Sequence, residues 1–222
     1  MKDLLQIIDE TDHTCFHSYR RIAEKLMNDY KLCVGDNNFY RIVECEFYFR
    51  SKKHDDPYVH GHARQKESIG EWYFHGSGLD ITLSTGDTYG GILIRGLTNV
   101  NRDRPVPSRE DAIIGPLNVC TEIFKQFGGI IAEKPIHFGL VDISREKMGA
   151  AMPDAKVFSI PRVGLNDTKD NDDNFCRRPY RFISFLHLQH RESEKIKKYL
   201  IEESKEPISL EDYKKHVTGS QW

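Results

Sequence analysis

Apolar and polar side chains alternate along residues 41 to 48 (RIVECEFY). Because successive side chains of a strand point to opposite faces, this alternation predicts a β-strand with two unlike faces. One face is apolar and can pack on a core: Val43, Cys45 and Phe47. The other face is mostly polar: Ile42, Glu44, Glu46 and Tyr48. Two carboxylates and a phenol are costly to bury together, so this face indicates a site that stacks a flat ligand and activates water beside it.

A helix precedes this strand. Apolar residues recur at helical spacing through residues 17 to 31, which predicts an amphipathic helix with its apolar stripe in the core. The stripe comprises Tyr19, Ile22, Ala23, Leu26, Met27 and Tyr30. The strand itself is predicted over residues 39 to 49. The segment from 51 to 68 is polar and rich in histidine and aspartate, which predicts a loop.

The rest of the chain mixes short strands and helices. Strands are predicted at residues 71 to 75, 79 to 83, 89 to 97, 136 to 143, 156 to 164 and 179 to 188. Helices are predicted at residues 117 to 127 and 192 to 203, and a capping-box-like segment predicts another helix starting at Ser209. The acidic segment from 167 to 174 is predicted to be a solvated loop. This mixture predicts an α/β fold of the mixed α+β kind.

Composition narrows the class of protein. The chain has 222 residues, of which 38% are hydrophobic and 30% charged, as in soluble globular proteins. Its apolar runs are too short to span a bilayer, and charges within residues 1 to 10 argue against a signal peptide. Five scattered cysteines, without a Cys-x-x-Cys pair, argue against a disulfide framework and predict a reducing, cytoplasmic setting.

The formal net charge of −2 does not indicate a nucleic-acid partner. Binding to phosphate needs a local basic face and not a basic whole, however. Local clusters of basic residues occur at 50 to 53, at 102 to 104, and at Arg177 and Arg178 with Arg181. Each cluster is either a phosphate contact or ordinary solvated surface.

Five segments in order along residues 20 to 185 resemble the motifs of one known family. They are residues 41 to 48, residues 56 to 60 with Arg64 and Gln65, residues 91 to 97, residues 115 to 120, and the pair 161 to 164 and 178 to 182. The alkyladenine (3-methyladenine) DNA glycosylase family has R-I-V-E-T-E-A-Y, D-x-x-x-H, V-L-L-R-A-L, G-P-x-x-L-C/T, and R-V-G with K-P-L-R-F. Five matches in the same order argue against chance, and the chain resembles a divergent member of that family.

The resemblance implies a fold. It implies a single mixed α/β domain built on a curved antiparallel sheet flanked by helices, similar to the C-terminal domain of formyltransferases. On this basis residues 17 to 190 form the glycosylase-like domain and residues 1 to 16 an N-terminal extension. Residues 191 to 222 form a C-terminal helical tail that packs on the domain or trails it.

The resemblance also implies roles for individual residues. Glu46 would be the general base that activates water for attack on the sugar C1′ atom, and Arg95 would help to hold that water. Tyr48 would stack on the flipped base, and His60 would contact the base or its 5′ phosphate. A carboxylate suits this reaction because cleavage of an N-glycosidic bond develops positive charge on the sugar. No lysine of the motifs is placed to form a Schiff base, so a monofunctional enzyme is expected.

The chain departs from the family where an intercalating tyrosine and a pocket asparagine are expected. Here residues 72 to 83 are WYFHGSGLDITL. Gly76-Ser77-Gly78 replaces the wedge tyrosine, and Asp80 or Thr82 replaces the asparagine. Tyr73 or His75 is expected to form the far wall of the pocket. These departures point to an unusual base as the substrate, to a different nucleic-acid context, or to a loss of glycosylase activity.

The expected partner is DNA, duplex or single-stranded, that contains a modified base. Base contacts are predicted for Tyr48, His60, Tyr73, His75 and Asp80. Contacts to the DNA backbone are predicted for Arg162, Arg177 and Arg178. The histidines and aspartates of residues 54 to 62 match no standard zinc spacing, so neither a metal nor a cofactor is expected. The chain is expected to be a monomer without a membrane partner. The alternative function is a non-catalytic module that holds a base or nucleotide on the same fold.

Overall fold

The computed structural model describes residues 2–9, 12, 14–100, 106–127, 136–143, 153–170 and 173–219. The basic cluster at 102 to 104 therefore lies outside the described residues. The helices are α1 (Lys2–Asp9), α2 (Phe16–Asn28), α3 (Pro116–Lys125), α4 (Ser193–Lys198) and α5 (Leu210–Thr218). The strands are β1 (Tyr30–Val34), β2 (Asn38–Ser51), β3 (His54–Asp55), β4 (Ile69–His75), β5 (Gly78–Leu83), β6 (Tyr89–Asn99), β7 (Ala112–Ile114), β8 (Phe138–Asp142), β9 (Val157–Ile160) and β10 (Arg181–Ser184).

Within the described ranges, the ten strands pair in one open sheet, and every pairing is antiparallel. The main path runs β4-β5-β6-β2-β1-β8, while β10 pairs with both β2 and β9. Strand β2 is the longest, and it pairs with β1, β3, β6 and β10. The fold is thus a mixed α/β arrangement around a single sheet with helices packed against it, which confirms the predicted fold class.

Helix α2 buries the predicted apolar stripe, but it is shorter than expected. Tyr19, Ile22 and Leu26 are fully buried in the main core. The helix ends at Asn28 with Asp29 as its C-cap, so the predicted extension to residue 31 is wrong. Tyr30 instead starts β1, where it pairs with Asp142 of β8. Tyr30 would be buried in the core both at the end of a helix and at the start of a strand. Its position in the apolar pattern therefore could not distinguish the two.

Strand β2 contains a bulge that changes the predicted faces. Its pairing with β6 shifts register between Ile42 and Cys45. As a result, Ile42 joins Cys45 and Phe47 in the main core, whereas Val43 packs in a separate cluster with Phe185 and Leu188. The sequence predicts Val43 on the core face with Cys45 and Phe47, and Ile42 on the other face. In the structure the two residues have exchanged faces. A bulge places two residues of one strand against one of its partner, so strict alternation fails at that point.

The strands predicted at 71 to 75, 79 to 83 and 89 to 97 are present as β4, β5 and β6 and extend one or two residues further, whereas the later predicted strands are shorter. The predicted strands at 136 to 143, 156 to 164 and 179 to 188 are reduced to β8, β9 and β10. The predicted loop from 51 to 68 contains β3 and a 3-10 turn, Ala63–Lys66. The predicted helix from 192 to 203 is α4 continued by a π-helical turn, Tyr199–Glu203. Ser209 caps α5 as expected, because its side chain accepts a hydrogen bond from the Asp212 backbone N–H.

The two ends of the chain pack on the sheet assembly. Helix α1, which the sequence did not predict, buries Leu4, Ile7 and Ile8 in the same core as α2 and β2. The C-terminal helices pack around a second apolar cluster, in which Ile196 and Leu200 contact residues of β9 and β10. Among the described residues, no helix is long and apolar enough to cross a membrane.

Candidate functional site

A cavity of about 550 Å³ opens beside β2, within the range of roughly 300 to 1,000 Å³ typical of small-molecule sites. Its walls come from β2, the loop after β3, the β4–β5 hairpin, β6, the start of α3 and the loop at residues 164 to 169. Five residues predicted from the sequence line it: Tyr48, His60, His75, Asp80 and Arg95. The tertiary structure therefore brings together side chains from four separate segments of the chain.

Glu46 lies directly behind this cavity. Its side chain is fully buried, with an exposure of 0%. Oε2 accepts hydrogen bonds from the Tyr48 hydroxyl (2.8 Å) and from Nη1 of Arg95 (3.3 Å). Oε1 accepts one from the backbone N–H of Val163 (2.8 Å). The two donors on Oε2 both line the cavity, so they connect the carboxylate to the open space.

Glu44 is a second buried carboxylate on the same face of β2, but its hydrogen-bond partners differ from those of Glu46. Its Oε1 accepts from Nε of Arg95 (3.0 Å) and Nε of Arg181 (2.9 Å), and its Oε2 lies 2.8 Å from Nδ1 of His190. The sequence identified Glu44 as a polar-face residue but gave it no role. Its partners are between 51 and 146 residues away along the chain, so spacing alone could not reveal them.

These surroundings shift the pKa values of the two carboxyl groups in opposite directions. Burial raises the pKa of Glu46, and the charge of Arg95 and the hydrogen bonds from Val163 and Tyr48 only partly offset that effect. Burial also favours a raised pKa for Glu44, but the hydrogen bond from His190 and the nearby cationic groups outweigh it, and the pKa of Glu44 falls to about 2. Glu44 is therefore a permanent counter-ion, whereas Glu46 is the carboxyl group suited to exchange a proton.

Tyr48 presents its ring to the cavity, and Arg162 supports it from behind. The guanidinium carbon of Arg162 lies 4.5 Å from the centre of the Tyr48 ring. Arg162 itself is buried in a bidentate pair with Asp56, at 2.7 and 3.2 Å. The prediction that Arg162 contacts the DNA backbone is therefore wrong, because its side chain has no exposed surface to offer a phosphate. The buried pair fixes the position of Tyr48 instead.

A series of aromatic rings, each in contact with the next, lies along one wall of the cavity. His60 meets His75 edge to face at 5.5 Å, His75 stacks on Tyr73 at 4.9 Å, and Tyr73 stacks on His62 at 5.1 Å. His60 and His75 line the cavity, but Tyr73 does not. Of the two candidates for the far wall, the structure thus selects His75, and Tyr73 supports it from the outer side.

Asp80 faces the cavity, whereas Thr82 does not. The Asp80 side chain is buried, and its Oδ2 accepts a hydrogen bond from Nε2 of Gln65 (3.3 Å). Thr82 exchanges hydrogen bonds with the backbone of Glu71 on β4. Gly91 of β6 leaves the space for the Asp80 carboxylate, because a Cβ atom at Gly91 would lie 2.6 Å from Oδ2. Asp80 is therefore the residue at the position predicted for a base contact.

The segment Gly76-Ser77-Gly78 forms the tight turn of the β4–β5 hairpin at the rim. Ser77 is exposed and lines the cavity mouth. No heavy atom lies within 4 Å of a Cβ built at Gly76, so the turn leaves open space there. Gly78 has a φ of 148° and packs against Leu93 and Pro116, which leaves no room for a larger residue.

The two remaining residues predicted to contact DNA differ in the exposure and the contacts of their side chains. Arg177 is 75% exposed, with Asp167 at 3.8 Å as a loose partner. Arg178 is less exposed, because its guanidinium stacks on Phe175 at 3.9 Å and donates to the Asp173 backbone. Arg181, which the sequence grouped with them, is buried against Glu44. Arg177 is therefore the member of this cluster best placed to meet a phosphate.

The histidine- and aspartate-rich loop turns partly inward. His54 packs between Phe175 and Tyr180, and burial lowers its pKa to about 4. Asp56 pairs with Arg162, while His62 caps the 3-10 turn and accepts from the Arg64 backbone. Within the part of the chain that the structure describes, no three histidine, cysteine, aspartate or glutamate side chains are grouped to hold a metal ion.

No protein-family model matches the chain. It is similar to uncharacterized protein L759 of Acanthamoeba polyphaga mimivirus, with 26% identity over 211 residues. The match covers 81% of this chain and 92% of the viral protein. The likeness therefore extends over about four-fifths of this chain and most of the viral protein, whose description names no activity.

Proposed function

We propose that the chain is a monofunctional DNA N-glycosylase, which flips a modified base into the cavity and hydrolyses its bond to deoxyribose. The observation that carries this proposal is the position of Glu46 behind the cavity wall, bonded to Tyr48 and Arg95. Its raised pKa beside the permanently ionised Glu44 is the kind of difference that separates a proton-accepting carboxylate from a structural one.

The roles proposed for the site residues follow from the charge that develops on the sugar during the reaction. Departure of the base develops positive charge on the sugar, which an adjacent carboxylate stabilises. A water molecule that attacks C1′ then loses a proton, and Glu46 accepts it. Arg95 keeps its orientation because Glu44 holds its Nε atom while its Nη1 atom reaches Glu46. Glu44 thus serves as a positioning residue for Arg95.

An aromatic ring at the cavity wall supports the base-flipping part of the proposal. A flipped base loses its stacking in the duplex, and the Tyr48 ring offers a replacement surface. Arg162 already covers Tyr48 at 4.5 Å, which leaves a ring in a fixed orientation for a ligand. The exposed Arg177 near the same loop cluster supplies positive charge for the DNA backbone.

A non-catalytic base-binding module is the second candidate, and one observation favours it. Glu46 has no exposed surface, and both of its oxygens already accept hydrogen bonds. Water reaches Oε2 only if the Tyr48 hydroxyl moves or relays the proton. In a module, Glu46 would simply hold Tyr48 and Arg95 in place around the ligand.

The experiment uses the full chain and a panel of oligonucleotides, duplex and single-stranded, each carrying one modified base. Release of the free base is measured by mass spectrometry for the unaltered chain and for Glu46→Gln. Glu24→Gln, which changes an exposed carboxylate on α2, is the matched control. Release that depends on Glu46 supports the enzyme, and binding without release supports the module. Lys169 lines the cavity rim, so borohydride trapping of a covalent complex would overturn the monofunctional assignment.

A further inference from the structure

A second groove, of about 470 Å³, shares no lining residue with the cavity of the candidate site. All three residues of β7 line it: Ala112, Ile113 and Ile114. Because successive side chains of a strand point to opposite faces, three consecutive lining residues place the groove along the edge of the strand. Among the described residues β7 pairs with β6 alone, so the edge that faces the groove has no partner strand.

The pairing of β7 determines which of its backbone groups face this groove. Just beyond the strand, the Gly115 N–H donates to the Arg95 carbonyl on β6 (2.7 Å). The backbone groups of an antiparallel strand alternate between its two sides. The N–H and carbonyl of Ile113 therefore face β6, whereas the Ala112 carbonyl and the Ile114 N–H face away from it.

Local hydrogen bonds use the other outward groups of this edge. The Ala112 N–H donates to the Arg109 carbonyl in the preceding turn. The Ile114 carbonyl accepts a hydrogen bond from Nδ2 of Asn118 on α3 (2.8 Å). Within the described ranges, the edge thus keeps one acceptor, the Ala112 carbonyl, and one donor, the Ile114 N–H, for a further strand.

The side chains around the edge carry an excess of positive charge. Arg109, in the turn before β7, and Arg191, in the loop before α4, are both exposed and line the groove. Of the described lining residues, Glu122 is the one carboxylate. It already accepts hydrogen bonds from the Tyr40 hydroxyl (2.9 Å) and from Nζ of Lys125 (3.4 Å). The two arginines therefore favour a ligand with negative charge.

We infer that this groove binds an acidic peptide segment, which adds to β7 as an extended strand. A segment that runs parallel to β7 satisfies the Ala112 carbonyl and the Ile114 N–H with the N–H and carbonyl of one residue. Its acidic side chains meet Arg109 and Arg191. A nucleic-acid backbone is also anionic, but its phosphates cannot donate a hydrogen bond to the Ala112 carbonyl, so the edge favours a peptide. The inference is independent of the proposed function, because the groove and the cavity are separate.

Fluorescence anisotropy titration of the full chain with three labelled peptides tests this inference. The first is a hexapeptide of alternating valine and aspartate with blocked ends, the second is the same peptide methylated at its backbone nitrogens, and the third has lysine in place of aspartate. We expect the first to bind saturably and the other two to bind about tenfold more weakly, because one loses the hydrogen bond to Ala112 and the other the charge. Equal affinities, or no saturable binding of the first peptide, would overturn the inference.

A double variant, Arg109→Gln with Arg191→Gln, locates the binding in this groove. It should weaken binding of the acidic peptide about threefold to tenfold, because two exposed charges are lost. The matched control is Lys195→Gln with Lys198→Gln, which removes two exposed charges from α4 and should leave the affinity unchanged. An equal loss in both double variants would overturn the inference.

Oligothymidylate, titrated in the same way, provides the comparison with nucleic acid. We expect its affinity to be the same in the double arginine variant and in the lysine control. Binding of oligothymidylate that requires both arginines, together with a methylated peptide that binds as tightly as the unmethylated one, would assign the groove to nucleic acid and overturn the inference. Thermal unfolding verifies the fold of each variant, and the three peptides with the unaltered chain decide the matter if a variant does not fold.

Discussion

Glu44 and Glu46 lie on one face of β2 and share the guanidinium group of Arg95, yet only Glu46 has a raised pKa. Glu44 also meets Arg181 and His190, and these cationic or donating partners outweigh the effect of burial. Glu46 has fewer such partners, so burial dominates. One strand thus carries a carboxylate that remains charged and another that can take up a proton.

Glu46→Gln should abolish base release while leaving the fold intact. The amide is nearly isosteric with the carboxylate, but it cannot accept a proton from water. General-base replacements of this kind usually lower the rate by about 100- to 10,000-fold. The measurement is single-turnover release of the base, with thermal unfolding to verify the fold. Release by the Gln variant at the rate of the unaltered chain would show that Glu46 is not the base.

The pH dependence of release should reflect the raised pKa of Glu46. The carboxyl group accepts a proton only when it is ionised, so the rate should fall as the pH drops through its pKa. Because burial raises this pKa, the fall should begin at a higher pH than for an exposed glutamate, whose pKa is 4.5. Single-turnover rates between pH 4 and 8 give the profile. A rate that stays constant down to pH 4.5 would contradict this assignment.

Glu44→Gln should destabilise the fold strongly. It leaves Arg95 and Arg181 buried without their shared counter-ion, and such a loss typically costs about 3 to 5 kcal/mol. Chemical denaturation of both proteins measures the difference in the free energy of unfolding.

The effect of Glu44 should also depend on pH. Its pKa in the fold, about 2, lies below its usual value of 4.5, so its ionisation stabilises the fold fully above pH 4.5. That shift corresponds to about 3 kcal/mol, which is lost as the pH falls from 4.5 towards 2. The difference between the unaltered chain and Glu44→Gln should therefore shrink over that interval. A difference that does not change with pH would show that Glu44 is not the ionised member of the cluster.

Excision of 3-methyladenine or hypoxanthine from duplex DNA should be weak compared with that of another modified base. The turn at Gly76 and Ser77 has no side chain that can fill the hole left by a flipped nucleotide, and extrusion costs a few kcal/mol. Gly76→Tyr should raise duplex excision relative to single-strand excision, because a Cβ at that position meets no atom within 4 Å. The assay compares each modified base at fixed salt. Efficient excision of both ordinary substrates, with nothing better in the panel, would show that no wedge is needed at this turn.

Arg177 and Arg162 should respond differently to neutralisation. If Arg177→Gln removes one phosphate contact, DNA binding weakens and the slope of log K against log salt becomes shallower by about 0.9. Arg162→Gln should instead destabilise the fold by roughly 3 to 5 kcal/mol, because it leaves Asp56 buried and unpaired. Lys195→Gln on α4, which is 77% exposed, serves as the control for a general loss of positive charge. An unchanged salt slope in Arg177→Gln would remove Arg177 from the DNA interface.

The local pattern of the chain was enough to predict elements that bury a regular stripe. The apolar residues of α2, the strand that carries Glu46 and Tyr48, and the cap at Ser209 all follow from neighbours a few residues apart. The sequence also placed Glu46 and Tyr48 on a shared face, which the hydrogen bond between them confirms. These features depend on backbone periodicity and local hydrogen bonding, which a short stretch of sequence determines by itself.

Only the tertiary structure decided how the site is charged and which residues face it. The bulge near Ile42 arises from pairing with β6, so the strict alternation of the sequence could not anticipate it. Arg162 looked like a surface cation, but it meets Asp56 from 106 residues away and becomes part of the core. The pKa of a carboxyl group likewise depends on burial and on charges brought close by folding. Sequence spacing therefore determined which side chains share a strand, whereas the packing of distant segments determined which of them can do chemistry.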